Sequence, residues 1–115
     1  MIGREEDGER IVSDKVLCNT TLKRATGLMF RRRIKDCGYI FSFKKDVIAG
    51  IHMFFVFFPI DIVWLDKEKR IVEMRENVKP FTPSVIPEKK CRFFIELPKG
   101  VIEDKGLKEG EKVYW

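Results

Sequence analysis

At 115 residues the chain is one domain's worth of sequence, and its 44% hydrophobic content can fill a core. It carries a net charge of +5 and 36% charged residues, with no Gln and only two Asn, a composition that points to a heat-adapted source. A single histidine excludes a His-rich metal centre, and three cysteines with no C-x-x-C pair leave no disulfide or zinc motif.

The first nine residues, "MIGREEDGE", read as an acidic and flexible N-terminal extension. They hold no apolar h-region, so a cytoplasmic location with reduced cysteines is expected. Residues 10–115 form the single β-rich domain. "RIVSDKVLC", 10–18, reads as strand with a kink at Ser13-Asp14. "NTTLKRATGLMF" follows as the one short helix, with Thr20 or Thr21 as its cap and Leu22, Ala25, Leu28 and Met29 as its apolar stripe. From Lys15 to Lys35 there are seven basic residues and no acid, so the basic character of the chain belongs to one segment. Such a patch attracts phosphate or an acidic partner, with Arg31, Arg32 and Arg33 as the anion-binding candidates.

"GYIFSF", 38–43, is the next strand. "VIAGIHMFFVFFPIDIVWLD", 47–66, comes after it and is nearly the length of a membrane span. Pro59, Asp61 and His52 argue against a spanning helix, as does the wealth of aromatic and β-branched residues. Division at Pro59 turns the run into two strands, near 50–55 and 60–65. "DKEKR", 66–70, closes a hairpin onto "RIVEMRENV", with Val72 and Met74 inward and Ile71 outward. Pro80, Pro83 and Pro87 make 79–90 a long extended loop. "CRFFIEL" alternates, placing Cys91, Phe93, Ile95 and Leu97 on one face and Arg92, Phe94 and Glu96 on the other. "KGVIEDKG" reads as a helical turn and "EKVYW" as a last short strand. Many short strands without a βαβ rhythm predict a mainly β, single-domain sandwich of jelly-roll type, or a partly open barrel.

No common catalytic motif is complete. There is no G-x-S-x-G and no glycine-rich phosphate loop, and no cofactor is expected. Asp61 and Glu96 each sit inside an apolar strand. Buried close together they would form an acid/base pair; held apart they would be structural carboxylates bonded to backbone or to a base such as Arg24.

Four stretches together carry a resemblance: "KRATGLMFRR", "GYIFSF", "HMFFVFFPIDIVWLD" and "FIELPKG", in that order. They resemble uncharacterised protein family 0127, also known as domain of unknown function 192. The resemblance covers about residues 15–115. It runs through Arg24, Gly27, Leu28, Met29 and Arg31, then Gly38, Phe41 and Phe43, then Pro59, Ile60 and Asp61, then Ile95, Glu96 and Gly100. It implies a jelly-roll sandwich and no established activity. Relatives carry Trp-Met-Lys-Asn-Thr where this chain has His52 to Val56, so the polar triplet becomes apolar here.

The leading expectation is therefore a small intracellular binding domain, not an enzyme, with a ligand cleft formed by Arg24, Met29, Asp61 and Glu96. Its partner is a small ligand or a protein. An apolar turn of Phe55, Phe57 and Phe58 between paired strands 50–54 and 61 onward would form a self-association surface, giving a homodimer, or line a pocket beside Asp61. The rivals are an RNA- or anion-binding protein using segment 23–35 and an enzyme using Asp61, Glu96 or His52.

Overall fold

The computed structural model describes residues 1–18, 35–53 and 55–115. The predicted helix over 20–29 lies outside them. The described residues form two sheets and one short helix, a mainly β architecture with no closed barrel. The strands are β1 Ile2–Arg4, β2 Arg10–Val12, β3 Asp14–Cys18, β4 Cys37–Val47, β5 Ile60–Leu65, β6 Ile71–Val78, β7 Cys91–Pro98 and β8 Val113–Tyr114. The helix α1 is Val101–Lys105.

The kink expected at Ser13 turns out to be a change of sheet. β2 ends at Val12 in a three-stranded sheet of order β2-β1-β8, and β3 starts at Asp14 in a five-stranded sheet of order β3-β4-β7-β5-β6. Ser13 N–H donates to Asp36 Oδ1 at 3.0 Å, which holds the corner. The acidic N-terminal segment is not an extension. Ile2 is fully buried, β1 pairs with both β2 and β8, and Arg4 bonds Asp7 and Glu9. Ile2-Gly3-Arg4 is too short to signal a strand on its own, and one of its two partners, β8, comes from the far end of the chain. β3 pairs with β4 in parallel, which departs from the all-antiparallel pairing of a jelly roll.

Cross-strand register gives the five-stranded sheet two sets of rows. Leu17, Ile40, Ile95, Val63 and Met74 stand abreast on one face. The last four join a core with Ile2, Ile11, Val12 and Val113 from the small sheet, and with Ile102 of α1. On the other face stand Cys18, Phe41, Phe94, Trp64 and Glu73, and beside them Val16, Tyr39, Glu96, Ile62 and Arg75. Phe41 and Phe94 stack at 4.4 Å. Gly38 permits the first face to close, because a Cβ there would stand 2.5 Å from Ile2 Cδ1 and 3.2 Å from Ile95 and Leu97.

Two strand expectations need correction. Ile71 was expected outward but is 1% exposed: a register shift between Trp64 and Leu65 sets Leu65 opposite Ile71, and both faces of this sheet are covered. Residues 50–53 and 55 form no strand of the sheet. Their pairing partner is the proline-rich loop, through a bridge of Ile51 with Val85, not β5.

Candidate functional site

The second face of the large sheet is covered by a ribbon of residues 47–53 and 55–59 on one side and 79–90 on the other. Ile51 and Val85 exchange both backbone hydrogen bonds, at 2.9 and 2.7 Å. Met53 N–H donates to Thr82 O at 2.7 Å, and Met53 O accepts from Phe81 N–H at 2.9 Å. The sheet holds this ribbon down with side chains. Trp64 Nε1 donates to Ala49 O at 3.0 Å, and Glu73 Oε1 accepts from the N–H groups of Glu88 and Lys89.

Extended backbone turns successive side chains to opposite sides. Ala49, Ile51, Met53, Val56, Phe58 and Val85 therefore point into the sheet and are buried. Ile48, Gly50, His52, Phe55, Phe57, Ser84 and Ile86 point out. On the outer face Phe81 meets two other rings. Phe57 meets Phe81 edge-on at 5.1 Å, and Phe55 meets Phe81 edge-on at 6.3 Å. Yet Phe55, Phe57 and Phe81 remain 46%, 59% and 46% exposed. Phe55 and Phe81 have φ of 58° and 60°, a left-handed conformation that costs a bulky side chain about 1–2 kcal/mol. The inward anchors Val56 and Phe58 set this geometry. Of the expected interface, Phe55 and Phe57 are exposed, whereas Phe58 is a core residue at 5%. Phe81 escaped the sequence reading because it lies in the proline-rich loop, with nothing local to pair it with Phe57.

Of the expected cleft of Arg24, Met29, Asp61 and Glu96, the described pair Asp61 and Glu96 is not brought together. They occupy adjacent strands, but Asp61 stands opposite Leu97 while Glu96 stands opposite Ile62. One carboxylate faces the small sheet and the other faces the ribbon, so they form no acid/base pair. Asp61 is fully buried and structural. Its Oδ1 accepts from Asn77 N–H at 2.9 Å, and its Oδ2 accepts from Gly100 and Ile102 N–H groups at 3.0 Å each. It ties β6 to the start of α1. Glu96 is 7% exposed, and burial without an offsetting charge or hydrogen bond pushes its carboxyl up to about 8. Arg24, Met29, Arg31, Arg32 and Arg33 lie outside the described residues.

Other chemistry finds little footing. Burial pushes the Cys91 thiol up to about 11, which suppresses the reactive thiolate. His52 is exposed. Among the described residues no group of three or more acids, histidines and cysteines is placed to hold a metal ion. No helix of the described residues is long and apolar enough to cross a membrane. An open cavity of about 660 Å³ lies beside Glu5, Glu6, Arg70 and Lys112, but its charges are of both signs, with Lys112 and Glu5 paired at 3.6 Å.

Comparison with known proteins completes the picture. The family DUF192, described as an uncharacterized ACR, matches residues 4–115. A UPF0127 protein of Thermococcus kodakarensis is 31% identical, over 100% of this chain and 73% of its own length. One from Pyrococcus horikoshii is 32% identical over 86% of this chain and 84% of its own. A crystal structure of a protein of unknown function from Novosphingobium aromaticivorans superposes with a TM-score of 0.82 at 26% identity, covering 88% of this chain and 74% of that one. A putative transcription regulator from Sinorhizobium meliloti shares the fold, with a TM-score of 0.83 at 22% identity over 87% of this chain and 79% of that one.

Proposed function

This chain belongs to the DUF192 family, whose function is unknown, and from that premise we propose that it is a binding domain whose working surface is the outer face of the ribbon, where it takes an apolar surface of a protein. One observation carries the reading. Two phenylalanine rings, Phe55 and Phe57, meet Phe81 edge-on; all three stay about half exposed, with left-handed backbone at two of the positions. A fold that needed these rings only for its own core would turn them inward with Val56 and Phe58. Contiguous exposed apolar surface of this kind marks interaction sites.

The carboxylates support binding over catalysis. Asp61 is taken up by three backbone donors, and Glu96 lies on the other side of the sheet, so the two do not face one another for proton transfer. We also propose the cytoplasm as its place, where cysteines that form no disulfide, Cys18, Cys37 and Cys91, suit a reducing compartment. The Thermococcus and Pyrococcus relatives support the heat-adapted reading of the composition.

A displayed peptide library panned on the wild-type protein tests the reading. The expected result is peptides with apolar or aromatic anchors, whose binding falls at least tenfold with Phe57→Ser/Phe81→Ser. Selection of acidic peptides indifferent to that variant would move the function to the basic segment 23–35.

A further inference from the structure

We infer that the apolar protein surface taken by the ribbon is that of a second copy of this chain, so the ribbon is a homotypic interface; this rests on the ribbon being the binding surface at all. Charge supplies the first argument. Residues 48–59 and 80–87 contain no Lys, Arg, Asp or Glu, in a chain with 36% charged residues. A two-fold interface sets a patch against itself, so any net charge on it would face its own like. This is the stretch of a molecule of net charge +5 where two copies meet without that penalty. The same absence argues against other occupants. A nucleic acid strand is held chiefly by cations on its phosphates, and residues 48–59 and 80–87 supply no Lys or Arg; the ribbon's lysines, Lys79, Lys89 and Lys90, lie beyond that stretch in sequence. A ligand cation in an aromatic box would gain no carboxylate.

Distribution and area supply the second argument. Among the described residues seven large apolar side chains are exposed, and five of them are on this one face: Ile48, Phe55, Phe57, Phe81 and Ile86. Ile86 continues the patch over Gly50, its Cγ1 lying 3.5 Å from where a Cβ would stand. Half-exposed rings present roughly 100 Å² each. With the two isoleucines and Gly50, two such faces would bury on the order of 1,000 Å² in total, which is where specific association begins. The dimer is therefore weak and concentration-dependent, held by apolar contact and insensitive to salt.

Sedimentation velocity on the full chain, from micromolar to millimolar concentration and at low and high salt, tests this. Twice the monomer mass is expected at the upper end in both salts, with the monomer recovered in Phe57→Ser/Phe81→Ser. Near-ultraviolet circular dichroism of that variant should match the wild type. A wild type that stays monomeric throughout overturns the second copy. If that monomer still binds the selected apolar peptides in a Phe57-dependent way, the ribbon remains a binding surface for a different protein; if it does not, both readings fall. Flotation of a monomer with phosphatidylcholine–phosphatidylglycerol vesicles also overturns the inference, in favour of a lipid surface. A dimer that dissociates at high salt, or persists in the double variant, places the contact elsewhere and overturns it too.

Discussion

The two faces of the five-stranded sheet are closed in opposite ways. One is covered by another sheet, and the carboxylate buried on it is met by backbone: three N–H groups converge on Asp61. The other is covered by a ribbon whose own hydrogen bonds are few and whose alternate residues are apolar on both sides. Under that ribbon Glu96 is buried with no hydrogen-bond donor shown among the described residues, and above it Phe55, Phe57 and Phe81 are about half exposed. Two carboxylates one strand apart thus have opposite energetics. A buried charge is stabilising where donors come to it and costly where they do not. The first face is built for stability. The second is where the fold tolerates cost, and such places are where function is expected.

The largest effect that sharpens this contrast is predicted for Asp61→Ala. It strands three backbone donors in the interior and should cost about 3–5 kcal/mol, read as a lower urea midpoint. Loss of less than about 1 kcal/mol would erase the distinction between the faces. Glu96 should show the opposite sign. The unfolded chain releases this proton near 4.5, whereas the folded chain keeps it up to about 8. Between those values the folded state holds the extra proton, so stability falls as pH rises and levels off above about 8. At about 1.4 kcal/mol per unit the fall approaches about 5 kcal/mol. Glu96→Gln should flatten that slope and be more stable than wild type at pH 8, in denaturant titrations run across pH. A smaller change is expected from Gly38→Ala. The added methyl meets Ile2, which is fully buried and cannot swing aside, so overpacking should cost about 1–3 kcal/mol by thermal melting.

Much of the fold was legible because its signals were local. β5 runs from Ile60 to Leu65 as the break at Pro59 predicts, and the Asp66–Arg70 turn closes the β5–β6 hairpin. What failed was non-local. The alternation in 48–53 marks an extended segment but does not say whether it joins the sheet or lies on top of it; only the pairing with Val85 decides that. The parallel β3–β4 pair and the strand at Ile2 also depend on distant partners. At the candidate site, an oddly apolar turn at Phe55 and Phe57 was visible, since turns are ordinarily polar. Phe81 was invisible, because contact across the ribbon leaves no trace in spacing. Asp61 stood out as an acid in an apolar strand, but that pattern is the same for a capping carboxylate as for a catalytic one.

The pairing of β1 with β8 has a kinetic consequence. It joins Gly3 to Tyr114 and Arg4 to Val113, nearly the full length of the chain apart. A contact of that span is among the last that loop-closure entropy allows to form. During synthesis the large sheet can assemble while its first face still lacks its cover, and Ile40, Val63 and Ile95 stay open to water until residues 113–114 have emerged. That interval is the chain's window of exposure to aggregation. An early intermediate with β4, β5, β6 and β7 protected against hydrogen exchange, and β1 and β8 unprotected, would be its signature.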